Sequence, residues 1–318
     1  MAALSKLASA LGSSIFSSLP TWNMIFKLVF LLLALVNIKS IPLTWHFRFY
    51  RSLYFHLLRR KKALPGRADL FSPITTTSRS PLYECDLNLH KSNSTYFSDL
   101  DIARTHLVCH LIKKSLSIRR KSKKQLYVAL AGVSALFRRE IKPFEKYEVV
   151  TRLLSWDTKW VFVVSHFVAL KKGPDGKRKI FATCISKYVF KQGRVTVPPE
   201  EVLRESGLLP ERPVGAEELT PAVSGTASPR DDELVEISGK AIATAEAVGG
   251  TDGDALMRDL DRSLTQKGEG DEYWTWERIE AERKRGCGIA KYMIGLDPLD
   301  NELRDGTEEG LVHIGNWY

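Results

Sequence analysis

Residues 83–104, YECDLNLHKSNSTYFSDLDIAR, constrain this chain more than any other stretch. Ser92, Asn93 and Ser94 are of the types that cap helices. Behind them Tyr96, Phe97, Leu100, Ala103, Leu107, Leu111 and Ile112 recur at spacings of three and four, the apolar face of a long helix that begins near Asn93. A short strand carrying Asp86 is expected just upstream, so a carboxylate and a row of helix N–H groups converge on one point. The first N–H groups of a helix lack internal partners and sit at the positive end of its dipole, where they can hold an oxyanion or polarise a carbonyl. Asp86 is placed to attack a thioester carbonyl or to take a proton from an attacking water. The pattern suggests acyl chemistry.

Downstream, QLYVALAGVSALFRREI, EKYEVVTRLLSWD, KWVFVVSHFVALKK and KIFATCISKYVFKQG read as four strands. Asp157-Thr158-Lys159 and Gly173-Pro174-Asp175-Gly176 supply turns between them. In the third strand Val161, Val163, Ser165 and Phe167 alternate with Phe162, Val164, His166 and Val168, which predicts one half-polar and one largely apolar face. A strand, a long helix and then four strands make an α+β order in which an antiparallel sheet can wrap one helix.

The pattern acid-x-Asp-x-x-x-His-x-Asn-Asn-x-x-Tyr resembles that of hotdog-fold acyl-CoA thioesterases similar to the 4-hydroxybenzoyl-CoA thioesterase group. It is most similar to the thioesterase superfamily member 6 branch and its fungal thioesterase-like relatives. Glu84, Asp86, His90, Asn93 and Tyr96 occupy the matching positions, Ser92 departs from the first asparagine, and Lys91 departs from the usual apolar residue. LLSWDTKWVFVVSHFV looks like the Trp-Asp hairpin of the same family. The resemblance implies a hotdog fold, an antiparallel sheet wrapped around a long central helix, that hydrolyses an acyl thioester carried by CoA or a carrier protein. It further implies Asp86 as catalytic base or nucleophile, the backbone N–H near Asn93 as oxyanion donor, and a homodimer with its sites at the interface. His90 is a candidate base or a turn residue, and Tyr96 and Asp101 are candidate substrate contacts. Asp101 has local pairing with Arg104 or Lys114 as its simpler role. Arg138 and Arg139, with Lys171 and Lys172, are candidates for gripping CoA phosphates. A hotdog hydratase or dehydratase and a non-catalytic acyl-binding scaffold are the alternatives, and the fungal likeness suggests lipid or secondary metabolism.

Charge divides the 318 residues, whose net is +10: residues 1–210 carry roughly +22 and 211–318 roughly −12. The basic part suits an anionic partner, a membrane surface or a CoA-type phosphate, and nucleic acid is not expected. Cys85, Cys109, Cys184 and Cys287 form no C-x-x-C pair, the usage of a reducing compartment. Cys85 should face away from Asp86 by strand alternation. No cofactor or metal is expected: His106, Cys109 and His110 stand at i, i+3 and i+4, but no fourth ligand is evident nearby.

The apolar run from Leu19 to Ile38 is long enough to span a bilayer, and cations are far denser after it than before. A single-pass membrane anchor with the catalytic domain facing the cytosol is therefore expected. The N-glycosylation sequon at Asn93 agrees with a cytosolic face. PLTWHFRFYRSLYFHLLRRKK reads as a helix at the headgroup level or as an amphipathic helix packed on the domain. The expected organisation is an anchor and basic segment over 1–62, a linker over 63–81, the hotdog domain over 82–210, an acidic disordered linker over 211–271 and a C-terminal helical extension over 272–318. The last docks on the back of the domain or acts as a lid.

Overall fold

The computed structural model describes residues 22–58, 64–122, 125–174, 176–213 and 270–294. Two helices come first, α1 (Trp22–Val36) and α2 (Thr44–Leu53), the latter running into a π-turn at Tyr54–Leu58. Strand β1 (Ile74–Arg79) precedes the long helix α3 (Asn93–Lys121). Strands β2 (Tyr127–Phe137), β3 (Lys146–Trp156), β4 (Trp160–Lys172), β5 (Arg178–Gln192) and β6 (Val195–Val197) follow, then α4 (Pro199–Glu205) and α5 (Trp276–Ile294).

The sheet is antiparallel in the order β1-β3-β4-β5-β2, with β6 on β5. Alternation then sorts the side chains. Val161, Val163 and Phe167 of β4 point at α3. Leu107, Leu111 and Ile112 join one core cluster with Val161, Val163 and Phe190, and Tyr96, Leu100 and Ala103 join another with Val149, Phe167 and Phe181. This is the hotdog arrangement: the sheet wraps the helix, and each turn of α3 buries a layer.

The other face of the sheet is covered too. Leu154, Phe162 and Val164 pack against Ala290 and Ile289 of α5. Both faces of β3 and β4 are thus buried, which accounts for nearly continuous apolar runs in place of a clean alternation. The Asp157 turn forms as expected, its carboxylate accepting the Lys159 N–H at 2.7 Å and the Trp160 N–H at 2.5 Å.

Three expectations change. The strand that leads toward the long helix is Ile74–Arg79, inside the stretch read as linker; Asp86 sits in a turn closed by a Cys85–Lys91 bridge. The amphipathic segment after Pro42 packs on α3, where Ser52 and His56 are buried and Ser52 Oγ meets His106 Nε2 at 2.9 Å. The single-pass, cytosol-facing anchor is corrected: among the described residues no helix is long and apolar enough to cross a membrane. At 15 residues α1 is about 22 Å long, short of the ~30 Å hydrocarbon core. Its apolar run cannot continue through Asn37 and Ile38. The Asn37 amide bonds back to the Leu33 carbonyl at 2.9 Å, the chain enters a 3-10 turn at Ile38–Ser40, and that turn is docked on the domain. Residues 1–21, residues 214–269 of the stretch 211–271 read as an acidic disordered linker, and residues 295–318 lie outside the described residues.

Candidate active site

The turn before α3 is built from backbone. The Asp86 N–H donates to the His90 carbonyl at 2.9 Å and the Leu89 N–H to the Asp86 carbonyl at 3.0 Å, with Leu89 at φ +57°. Asp86 Oδ1 accepts the Asn88 N–H at 2.9 Å and the His90 N–H at 3.4 Å, an Asx-type turn that fixes the carboxylate. The tip is open, since Leu87 is fully exposed and Leu89 is 65% exposed.

The helix opens without a side-chain cap. Ser92 has the extended backbone of an N-cap, but its hydroxyl meets only Ser94 Oγ, at 3.2 Å. Thr95 closes the corner instead: its N–H and hydroxyl both go to the Ser92 carbonyl, at 3.0 and 2.7 Å. The Asn93 and Ser94 N–H groups are left without an acceptor among the described residues, facing the positive end of the α3 dipole.

Asp86 and Asn93 line a cavity of about 290 Å³. Asp86, His90, Asn93 and Tyr96 line one side, and Phe137, Arg138, Arg139 and Glu140, where β2 ends, line the other. Both arginine N–H groups bond the Phe181 carbonyl, at 2.8 and 3.0 Å, so the backbone holds them at the rim. His90 Nε2 lies 3.0 Å from Glu140 Oε2, an ion pair when the ring is protonated. Tyr96 is buried between Phe137 and Phe167, with ring centroids 5.1 and 4.9 Å away, and burial raises its phenol pKa. Cys85 points elsewhere, with Sγ 3.4 Å from the Pro81 carbonyl.

Of the residues singled out from sequence, Asp86, His90, Asn93, Tyr96, Arg138 and Arg139 come together, and Asp101 does not. Asp101 pairs with Arg104 on α3 itself, the simpler of its two expected roles. Lys171 and Lys172 lie near the far end of β4 and line no part of the cavity. His106 engages His56 at 2.8 Å and Ser52, and the Cys109 thiol is pushed up to about 12 by burial. No metal-holding group of three such side chains occurs among the described residues.

Asn88, Lys91, Phe137 and Glu140 line the cavity and escaped sequence reasoning, although Glu140 had a signal in its place directly after Arg138 and Arg139. Below the cavity lies a buried ionic cluster that sequence also missed. Asp99, 2% exposed, takes Lys39 at 2.7 Å, Arg48 at 2.9 Å, Lys91 at 3.2 Å and the Tyr147 hydroxyl at 2.5 Å. Burial alone would raise the Asp99 carboxyl pKa, but Lys39, Lys91 and Arg48 outweigh it and hold the group well below the usual carboxylate range.

A sheet wrapped on one long helix defines the hotdog fold, and a carboxylate beside a helix start is an arrangement suited to acyl-thioester chemistry. The thioesterase-like superfamily matches residues 80–206. "Thioesterase poxG" of Penicillium oxalicum is 36% identical over 323 residues, covering 90% of this chain and 88% of its own. "Probable thioesterase atnL" of Emericella nidulans is 43% identical over 214 residues, 55% of this chain and 69% of its own. Among solved structures, the YbaW probable thioesterase of Escherichia coli aligns with 42% of this chain and 96% of its own at 17% identity, with a TM-score of 0.35. The chain belongs to the thioesterase-like superfamily, and it is a thioester hydrolase.

Proposed function

We propose that the Asp86 cavity is where this hydrolase cleaves acyl-CoA. The observation that carries the reading is one cavity lined by a pinned carboxylate, Asp86, and by Asn93, the first residue of α3, with the unbonded Asn93 and Ser94 N–H groups at that helix end. With Oδ1 held by the turn, Asp86 Oδ2 is the oxygen that acts, as nucleophile toward the carbonyl carbon or as base toward water. Negative charge then develops on the carbonyl oxygen against the helix N–H groups, and the CoA sulfur leaves as thiolate. On the base route water's oxygen has bonded the carbonyl carbon and the acid is released; on the nucleophile route water then cleaves the acyl–Asp86 anhydride to give the acid and the free carboxylate. Tyr96 and Phe137 supply an apolar wall for the acyl group. Arg138 and Arg139 at the rim match the phosphates of CoA, which favours CoA over a carrier protein as the acyl donor.

We also take the working unit to be a homodimer joined along β2. This strand pairs with β5 only, its second edge is open over 11 residues among the described residues, and it leads straight into Arg138–Glu140 at the cavity.

The test is thiol release from a panel of acyl-CoAs by the parent and by Asp86→Asn. The substitution is nearly isosteric and removes only the carboxylate, so the expected result is a loss of about 10²–10⁴ in kcat with acyl-CoA binding kept. Equal activity in both proteins would place the reacting group elsewhere.

A further inference from the structure

Leu87 and Leu89 at the tip of the turn are exposed, so its geometry is set largely at its base, and a cation from outside the superfamily match enters that base. Glu84 and Lys91 flank the turn. They form an ion pair, and the Glu84 carbonyl also accepts the Ser92 N–H at 2.8 Å and the Thr95 hydroxyl at 3.3 Å, which fastens the turn to the start of α3. Into this base comes Lys39, from the 3-10 turn after α1. Its Nζ lies 2.8 Å from Glu84 Oε2, 2.7 Å from Asp99 Oδ2 and 3.0 Å from the Arg79 carbonyl. Two residues earlier, Asn37 Oδ1 accepts the Tyr83 N–H at 2.8 Å.

We infer that Lys39 is a positioning residue for thioester hydrolysis: it ties Glu84, before the turn, to Asp99, on α3, and so fixes Asp86 relative to the Asn93 and Ser94 N–H groups. The inference rests on the assignment of Asp86 and those N–H groups as the reacting site. Two carboxylates meet three cations here, Lys39, Lys91 and Arg48. Lys39 and Lys91 each pair with both carboxylates and Arg48 with Asp99 only; since Lys91 is itself part of the turn's base, Lys39 is the bridge that comes from outside it. Removing the Lys39 ammonium leaves Lys91 as the one cation that bridges Glu84 and Asp99, so the turn keeps its backbone bonds to the start of α3 but loses one of its two ionic ties to the helix. Displacements of about 1 Å in a reacting group remove on the order of 10²-fold in rate. Asn37 and Lys39, both outside the superfamily match, therefore help to position the reacting groups.

The experiment uses the full chain. Lys39→Met is expected to lower kcat for acyl-CoA at least tenfold while KM changes less than twofold, and Lys39→Arg is expected to recover most of the loss. Lys27→Met, an exposed change on α1, serves as the unaltered reference. Amide hydrogen exchange gives a readout independent of turnover: in Lys39→Met the amides of Asp86, Leu89, Lys91 and Ser92 should exchange at least tenfold faster, with those of β4 and β5 unchanged. Should Lys39→Met fold poorly, Asn37→Ala keeps every charge, removes the side-chain bonds to the Tyr83 N–H and the Leu33 carbonyl, and is expected to show the same effects more weakly. Parental kcat in Lys39→Met, or turn exchange no faster than in the parent, would overturn the inference. So would uniform loosening of turn and sheet together with no rescue by arginine. Parental activity in Asp86→Asn, run alongside, would instead remove the site assignment beneath it.

Discussion

At the scale of single residues, Asp99 has the largest consequence. A buried carboxylate whose partners remain after its removal leaves three cations in a poor dielectric, and breaking such a cluster costs about 3–5 kcal/mol. Asp99→Asn is therefore expected to lower the urea midpoint sharply at pH 7. The pH dependence has a definite sign. The folded-state pKa of Asp99 is depressed, so its stabilisation is fully present above the ordinary aspartate value of ~3.9 and is lost as pH falls below that toward the folded value. The gap between parent and variant should be widest near neutrality and narrow below about pH 4, read by urea titrations at both ends. A constant gap would mean that the Asp99 pKa is the same in the folded and unfolded chain, so that the three cations do not act on it. None of this could be read from the sequence. Its partners stand 60, 51 and 48 positions away, at Lys39, Arg48 and Tyr147, and two of them read most simply as cations flanking an apolar segment. Asp86, His90, Asn93 and Tyr96 were legible for the opposite reason, because one local turn and one helix start hold all four.

At the scale of elements, the helix and strand order was legible from periodicity, and docking on the back of the domain was one of two roles expected of the C-terminal helix, but the residues that α5 meets were not legible. Its composition gave a helix but not a partner, since the surface that receives it is the outer face of the sheet far away in sequence. The contact is close enough to depend on one glycine. A Cβ on Gly286 would meet the Leu154 carbonyl oxygen at 2.1 Å and Ser155 Cβ at 2.8 Å, both on β3. Beside it Ser155 Oγ bonds the Arg283 carbonyl at 2.6 Å and Arg283 Nη1 bonds the Trp156 carbonyl at 3.0 Å, so the helix has no slack to move outward. Gly288, two residues on, meets nothing within 4 Å. Helix propensity favours alanine at both positions by about 0.5–1 kcal/mol, and steric overlap opposes it only at the first. Gly286→Ala is expected to destabilise by about 1–3 kcal/mol and Gly288→Ala to stabilise by up to about 1 kcal/mol. Equal shifts of the same sign in thermal melts would show that α5 does not press on β3. The lid that this segment was offered as finds no support in its position: α5 lines no part of the Asp86 cavity.

At the scale of the whole molecule, what decides the assembly is which backbone edges are left open. The sheet has α3 on one face and α5 on the other, and its two outer strands are β1 and β2. The β1 edge has a neighbour, because Arg48, Arg51, Ser52 and Phe55 of the N-terminal segment stand across a cleft from Ile74–Ser78. The second edge of β2 has none among the described residues, and it is long, with Leu130, Leu136 and Phe137 exposed. A long apolar edge of this kind recruits another strand, and a second copy of the same strand satisfies it with two-fold symmetry. Light scattering should then give twice the 35.9 kDa chain mass. Leu130→Asp with Leu136→Asp would set like charges against each other across the paired strands and is expected to return the protein to the single-chain mass. Because β2 runs directly into Arg138, Arg139 and Glu140, separation of the copies should also cost activity, through KM for acyl-CoA first. A parent that is monomeric at working concentration and fully active would sink the β2 dimer, and would mean that the cavity is complete in one chain.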